Sequence, residues 1–68
     1  MNSIRLTIEG LEQPETQDKV RSQLEGVIGI YDVSLSEGQN YVDIRYDEQT
    51  SHAEINNHLQ SNGYKVLD

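Results

Sequence analysis

Four carboxylates around the end of the first alternating segment of the chain are candidate ligands for weak binding of a hard cation. They are Glu9, Glu12, Glu15 and Asp18. Carboxylate oxygens suit hard cations, but a calcium loop needs ligands at its first, third and fifth positions and a central glycine. This segment lacks that spacing. The pattern is more typical of solvated charges at the start of a helix, where acidic residues favour the positive end of the helix dipole.

The two histidines are the other candidate metal ligands. His52 and His58 are six residues apart in a segment that we expect to be helical. Side chains share a helix face when they are three or four residues apart, so these two cannot chelate one ion from a regular helix. We expect each histidine to be a packed or solvated side chain. A metal-binding or metal-transport accessory protein with carboxylate or histidine ligands stays open as an alternative.

The residue types do not indicate an enzyme. Nucleophilic catalysis needs an activated Ser, Cys or Thr beside a base. No serine of this chain lies in a Gly-x-Ser-x-Gly motif, which forms the sharp turn that exposes a catalytic serine. The chain has no cysteine, which excludes disulfides and thiolate metal sites, and it has no glycine-rich phosphate loop. We therefore expect no cofactor.

Composition limits the remaining functions. The 68 residues make one small domain, and 34% of them are hydrophobic, without Phe or Trp. The net charge of −7 disfavours binding to nucleic acid and to anionic membranes. It suits either solubility alone or docking on a basic protein partner. Because no secretory signal or apolar span is evident, we expect a cytoplasmic protein that does not enter membranes. We also expect it to be a monomer.

Hydrophobic periodicity places the elements that would position these residues. Apolar residues alternate over residues 3–9, 31–35 and 42–46, which predicts three strands. Between the first two, Val20, Leu24 and Val27 form an apolar stripe of a helix that starts near Gln13 and Pro14. A second helix is expected from about Ser51, with Ile55 and Leu59 facing the core.

The last residues, from Tyr64 to Leu67, are expected to form a short fourth strand. The order βαββαβ predicts the ferredoxin-like α+β fold, in which two helices cover one face of a four-stranded antiparallel sheet. A single domain is expected to span residues 1–68.

The sequence resembles heavy-metal-associated domains, the family of small copper chaperones, because residues match in the same order along nearly the whole chain. Ile4, Leu6 and Ile8 match the first strand of the family, and Val20, Leu24 and Val27 match its first helix. The later matches are Gly29-Ile30, Val33, Leu35, the run Ile44-Arg45-Tyr46-Asp47, Ile55, Leu59 and the run Asn62-Gly63-Tyr64. The resemblance implies the same ferredoxin-like fold.

The chain departs from the family at its metal loop. The family has Gly-Met-x-Cys-x-x-Cys where this chain has Gly10 to Thr16, so Leu11 replaces the Met. Gln13 and Thr16 replace the two cysteines, and neither an amide nor a hydroxyl oxygen is a competent Cu(I) ligand. In the family a tyrosine at the place of Tyr64 lies beside this loop, which implies the same position here.

Two interpretations of this loop follow. It is a protein-docking patch with Leu11 and Tyr64 as its apolar centre and Glu12 and Glu15 at its rim, or it is an ordinary strand–helix connection in which Leu11 and Tyr64 pack at the edge of the core. For the protein as a whole, a small-ligand sensor is a further hypothesis, based on analogy of fold alone. The candidate binding residues are Gly10, Leu11, Glu12, Gln13, Glu15, Thr16 and Tyr64, with no catalytic or metal-ligating residue among them.

Overall fold

Three strands and two helices follow one another in the computed structural model, which describes residues 2–67. They are β1 (Asn2–Thr7), α1 (Pro14–Glu25), β2 (Ile30–Leu35), β3 (Tyr41–Tyr46) and α2 (His52–Ser61). The elements occur in the predicted order, and the expected helices and hairpin are present. Neither of these helices has the length and apolarity that crossing a membrane would require.

The strands form an antiparallel sheet in the order β1-β3-β2. In the register between β1 and β3, Ile4 lies opposite Ile44 and Leu6 opposite Val42. Because successive side chains of a strand point to opposite faces, this register gathers the apolar residues of both strands on one face. The other face carries polar residues such as Arg5 and Asp43, which are also directly opposite each other.

The prediction of a fourth strand is wrong, because the last segment does not form a full strand. Among residues 2–67 the sheet therefore has three strands and not four. Only Ile8 and Val66 form an antiparallel bridge. It is flanked by bonds from Glu9 N to Lys65 O (3.0 Å) and from Leu67 N to Thr7 O (2.8 Å). Tyr64 cannot extend the pairing, because its N–H donates to Leu59 O at 3.0 Å and closes the end of α2.

The predicted alternation of β2 is wrong at Tyr31. The pairing of β2 with β3 shifts between Ile30 and Asp32, which is a β-bulge. An extra residue in one strand reverses the inward and outward positions on one side of it. Ile30 therefore packs against the core, while Tyr31 is 46% exposed.

The apolar sides of both helices and of the sheet meet in one core. Because α1 and α2 contribute to the same cluster as the strands, both helices cover the same face of the sheet, as predicted. The buried hydrophobic residues are Leu6, Ile8, Leu11, Val20, Leu24, Val33, Val42, Ile44, Tyr46, Ile55 and Leu59. Val27 was expected in this stripe, but α1 ends at Glu25 and leaves Val27 half-buried in the following turn.

Helix α2 starts as the sequence predicts. Ser51 is the N-cap, and its hydroxyl accepts a 3.2 Å hydrogen bond from the backbone N–H of Glu54. This bond satisfies one of the backbone donors that the first turn of a helix leaves free. The helix is thereby fixed with Ile55 and Leu59 toward the core.

Candidate functional site

The loop between β1 and α1 consists of two successive tight turns. Leu11 N donates to Ile8 O at 3.1 Å, and Gln13 N donates to Gly10 O at 3.2 Å. Gly10 is the third residue of the first turn and has φ +84°. That position of a type II turn needs a positive φ, which a glycine adopts without steric cost. The loop therefore has a defined backbone shape.

The start of α1 fixes the second half of the loop. Gln13 is the N-cap, with the extended backbone φ −79° and ψ 131° that is usual there, and Pro14 occupies the first helical turn. Gln13 O accepts the 3.0 Å bond from Gln17 N. The side chain of Gln13 caps nothing, so it is free to contact another molecule. The sequence prediction for these two positions is confirmed.

The structure separates the candidate residues into a buried anchor and an exposed rim. Leu11 is completely buried in the core, so its side chain has no surface to offer a partner. This corrects the expectation that Leu11 forms half of an apolar docking centre. Glu12, Gln13 and Glu15 are exposed, and Thr16 is half-buried on the first turn of α1. Burial of Leu11 instead ties the loop to the core.

Tyr64 lies at the same end of the domain as the loop. It is half-buried and packs on the core. Directly after it, Lys65 accepts a backbone bond from Glu9 at 3.0 Å, and its ammonium lies 3.8 Å from Oε2 of Glu9. Tyr64 also lines a shallow surface groove, whose other walls are Gln60, Gly63, Lys65 and Val66. The segment after α2 is thus joined to the residue that precedes Gly10.

The charges of this region are only partly neutralised. Lys65 balances Glu9, whereas Glu12, Glu15 and Asp18 form no ion pair with any residue between 2 and 67. Sequence reasoning singled out the carboxylates but missed Lys65. Lys65 lies in the segment that the sequence predicts as the fourth strand, but the position of this segment beside Ile8 and Glu9 is seen only in the structure.

Neither the loop nor the histidines assemble a metal centre. No group of three His, Asp or Glu side chains between residues 2 and 67 is arranged to hold an ion. His52 is exposed on α2, and His58 is half-buried. Nε2 of His58 lies 3.1 Å from the carbonyl oxygen of Gln23. A carbonyl oxygen can only accept, so Nε2 is the donor of this bond, which links α2 to α1.

A second polar cluster lies on the open face of the sheet. The guanidinium of Arg5 binds Asp43 with two hydrogen bonds of 2.8 and 3.1 Å, and it lies 4.1 Å from the ring centroid of Tyr41. The hydrogen bond from Arg5 lowers the pKa of the Asp43 carboxyl, and the same bond raises the pKa of Arg5. Sequence reasoning missed the pair because it depends on the register between β1 and β3.

Comparison with known proteins supports the fold through solved structures. No protein-family model matches the sequence, and no curated protein matches it either. A CopZ metallochaperone superposes with a TM-score of 0.84 at 19% identity, covering 97% of this chain and 100% of that one. A copper-binding domain from HMA7, a P-type ATPase, superposes with a TM-score of 0.85 at 21% identity. The match covers 100% of this chain and 96% of that domain.

Oxidised MerP from Ralstonia metallidurans CH34 gives a TM-score of 0.84 at 17% identity, covering 98% of this chain and 97% of that chain. At these identities the likeness shows the fold. The predicted resemblance to heavy-metal-associated domains is confirmed at that level, in a chain that has no cysteine.

Proposed function

We propose that this chain is a non-catalytic protein-interaction module that docks a basic partner protein. It does so as a cytoplasmic monomer, through a surface that we name the loop surface. This surface consists of the segment Gly10–Thr16, with Leu11 as its buried anchor, together with Tyr64. The observation that carries the proposal is that Glu12 and Glu15 project into solvent from a loop of fixed shape and pair with no cation between residues 2 and 67.

The rigidity of the loop supports recognition. Two turns and a helix start fix the backbone from Ile8 to Gln17, so little conformational entropy is lost when a partner binds. Unpaired carboxylates on a rigid surface attract a basic patch over several ångströms and accelerate encounter. Tyr64 adds an aromatic side chain at the same end, and aromatic residues are enriched in interfaces.

The similar structures suggest the pathway of the partner. They include a metallochaperone and a copper-binding domain of a P-type ATPase. We place this chain in metal homeostasis, as a component that contacts other proteins and does not carry Cu(I). The amide of Gln13 and the hydroxyl of Thr16 are the reason, since Cu(I) prefers thiolate and thioether ligands.

The test begins with a photo-crosslinking amino acid at Gln13 in cells of the source organism. A crosslinker at Glu37, which is exposed in the turn between β2 and β3, is the control for contacts made by any acidic surface. We expect a basic protein to crosslink at Gln13 only. Equal crosslinking at both positions would remove the support for a specific loop surface.

The identified protein then allows a kinetic test. The double charge reversal Glu12→Lys, Glu15→Lys should lower the association rate constant more than it raises the dissociation rate constant, and added salt should weaken wild-type binding. Glu37→Lys is the matched reversal outside the loop surface and should change little. An association rate that neither the double reversal nor salt alters contradicts electrostatic docking at this loop.

A metal titration distinguishes protein docking from the alternative function, metal binding by carboxylate or histidine ligands. Amide shifts are followed as Cu(I), Zn(II) and Ca(II) are added in turn. We expect no localised change at micromolar metal. Saturable shifts confined to residues 9–18 would favour a metal-binding function for the carboxylates over protein docking.

A further inference from the structure

The dipeptide Asn62-Gly63 carries a chemistry that the proposed function does not use. The side-chain amide carbon of an asparagine is an electrophile, and the backbone nitrogen of the next residue is the nucleophile closest to it in sequence. Attack closes a five-membered succinimide ring. A glycine as the next residue favours this attack, because it has no side chain to crowd the nitrogen. Among the five asparagines of the chain, Asn62 is the one that a glycine follows.

The end of α2 has the hydrogen bonds of a Schellman motif. Asn62 is the C-cap, Tyr64 N donates to Leu59 O at 3.0 Å, and Gly63 N donates to Gln60 O at 3.1 Å. The motif needs a residue with positive φ directly after the C-cap, and Gly63 has φ +90°. The cap itself therefore selects a glycine after Asn62.

The side chain of Asn62 belongs to the same cap. Its Nδ2 donates a 2.7 Å hydrogen bond to the carbonyl oxygen of His58. This carbonyl is one of the last four of α2, which have no partner within the helix. An asparagine therefore suits the C-cap position for the same reason that makes it reactive, which is its short side-chain amide.

The closed cap holds the reacting atoms apart in three ways. The ψ of Asn62 is 12°, which turns the nitrogen of Gly63 toward the backbone nitrogen of Asn62 and away from its Cβ. The N–H of Gly63 is bonded to Gln60 O, and the amide of Asn62 is bonded to His58 O. Both residues are nevertheless exposed, and helix ends open at a lower free energy than the whole fold.

We propose that Asn62 is a modification site at which deamidation is gated by this Schellman motif. When the motif opens, the nitrogen of Gly63 gives its proton to water and bonds to Cγ of Asn62. The Cγ–Nδ2 bond breaks, and Nδ2 takes up a proton and leaves as ammonia. Water then adds to one of the two carbonyls of the ring and breaks its C–N bond, which leaves aspartate or isoaspartate. Nothing is oxidised or reduced, and water is the co-reactant.

The product cannot restore the cap. A carboxylate at position 62 can only accept a hydrogen bond, and so can the carbonyl of His58, so the 2.7 Å contact becomes repulsive. The new negative charge also lies at the negative end of the helix dipole. Isoaspartate in addition lengthens the main chain by one carbon between the two cap bonds. The modification therefore releases the end of α2 irreversibly.

The released segment leads directly to Tyr64. The backbone N–H of Tyr64 closes this helix end, and its side chain is part of the loop surface defined above. Deamidation should thus displace Tyr64 from its place on the core. The reaction itself is measured on the chain alone, so the proposal does not rest on the proposed function.

The first experiment follows the full chain at neutral pH, folded and in guanidinium chloride, by peptide mapping with mass spectrometry. Asn40 is the internal control, because it is also exposed but precedes Tyr41, whose side chain crowds the attacking nitrogen. We expect Asn62 to convert first in the unfolded chain. The folded chain should convert at the same site at least about tenfold more slowly, which corresponds to an opening free energy of about 1.4 kcal/mol or more.

Hydrogen exchange on the folded chain measures the opening independently. Exchange of the Gly63 amide and attack by its nitrogen both require the bond to Gln60 O to open. The slowing of deamidation should therefore be at least as large as the protection of this amide. A smaller slowing, equal rates in the folded and unfolded chain, or an Asn62 that converts no faster than Asn40 in the unfolded chain would overturn the proposal.

Variants test the consequence of the modification without waiting for it. Asn62→Asp is the aspartate product, and Asn62→Ala loses the bond to His58 O without adding a charge. Both should lower the midpoint of urea denaturation, Asn62→Asp by more, with amide shifts of Asn62→Asp concentrated in residues 59–65. Asn40→Asp adds the same charge outside the cap and should change little. An Asn62→Asp variant as stable as wild type, with the amide of Tyr64 unshifted, would show that the modification does not release the helix end.

Discussion

The backbone of Gly29 lies directly against that of Thr50. A Cβ added to Gly29 would be 3.0 Å from Thr50 N and 3.1 Å from Oδ1 of Asp47. Oδ1 of Asp47 in turn accepts a 2.9 Å hydrogen bond from Gln49 N. The turn before β2 and the turn after β3 are therefore packed so closely that a Cβ at position 29 would fit only if the second turn moved by a few tenths of an ångström.

Gly29→Ala should destabilise the domain by more than the strain of its backbone conformation. Positive φ costs a residue with a side chain about 1–3 kcal/mol, and the contacts with the second turn add to this. Gly38→Ala is the matched control, because Gly38 has φ +77° but no atom within 4 Å of an added Cβ. Urea denaturation of both variants gives the comparison. Equal losses would show that the packing of Gly29 on Thr50 has no energetic weight.

Thr50→Val should stabilise the domain. Thr50 is 6% exposed, and its Oγ1 has no hydrogen-bond partner between residues 2 and 67. A buried hydroxyl without a partner costs about 1–3 kcal/mol, which a methyl group of similar shape avoids. We expect a higher midpoint of denaturation. The neighbouring Ser51→Ala should act in the opposite direction by about 0.5–2 kcal/mol, because it removes the cap of α2. A destabilised Thr50→Val variant would mean that the hydroxyl is bonded in solution.

Leu24→Ala should cost about 2–5 kcal/mol of unfolding free energy, because it leaves a cavity in the core. Leu24 is completely buried on α1. Ile28→Ala is the control, since a side chain that is 75% exposed should contribute within about 0.5 kcal/mol. Thermal and urea denaturation measure both. Where Leu24→Ala is too unstable to fold, Val20→Ala tests the same stripe with a smaller deletion. If neither Leu24→Ala nor Val20→Ala changed the midpoint of denaturation, the orientation of α1 with these residues toward the core would be contradicted.

Periodicity and capping predicted most of this fold because they are local. Val20 and Leu24 recur at the helical interval, and Ser51 precedes Glu54 by the spacing of a cap. Both patterns can be read in one segment without its neighbours. The start of α1 at Gln13 and Pro14 was predictable for the same reason, and with it the position of the loop surface.

The errors concern features that depend on pairing. Tyr31 alternates with Val33 in the sequence, but a bulge against β3 turns it to solvent, and nothing in the strand itself signals that bulge. The last strand was predicted wrongly because the backbone N–H of Tyr64 bonds to the end of α2 and is not available for pairing in the sheet. One of the two interpretations of Leu11, as the apolar centre of a docking patch with Tyr64, fails because its side chain is completely buried in the core. Residues that meet only through tertiary packing required the structure.

The pair of Arg5 and Asp43 should make stability depend on pH in the acid range. The hydrogen bond from Arg5 lowers the pKa of Asp43 in the folded state. The pair therefore stabilises the fold above the pKa of an unfolded aspartate, about 3.9, and this contribution is lost as pH falls through the lower folded value. Wild type should exceed Asp43→Asn in stability at neutral pH, and the two should converge in acid.

The effect is expected to be small, because both side chains are substantially exposed, at 60% and 43%, and solvent screens such pairs. Urea denaturation of both proteins is measured from about pH 7 to about pH 3, at low and high salt. Asp32→Asn, also on an exposed strand position but without an ion pair between residues 2 and 67, serves as control. A constant difference between wild type and Asp43→Asn across this range would show that the pair does not act through the ionised carboxylate.

The final prediction concerns the shape of the loop surface. The spacing from Gly10 to positions 13 and 16 is that of the heavy-metal-associated family without insertion. Gln13 is the N-cap of α1, and Thr16 lies on its first turn, where the helix dipole favours a thiolate. The double change Gln13→Cys, Thr16→Cys should therefore create a Cu(I) site, and each single change should not.

Competition with a Cu(I) chelator under reducing conditions measures the affinity of the double and single variants. Nearby Glu12 and Glu15 raise thiol pKa values, so binding should weaken at low pH. Pro14 fixes its own φ near −65° and restricts position 13 to extended conformations, which can hold the first sulfur away from the second. Adding Pro14→Ala to the double variant tests this restraint. A double variant that binds no better than the singles, with or without Pro14, would show that the loop has lost the geometry of a metal site and only its spacing remains.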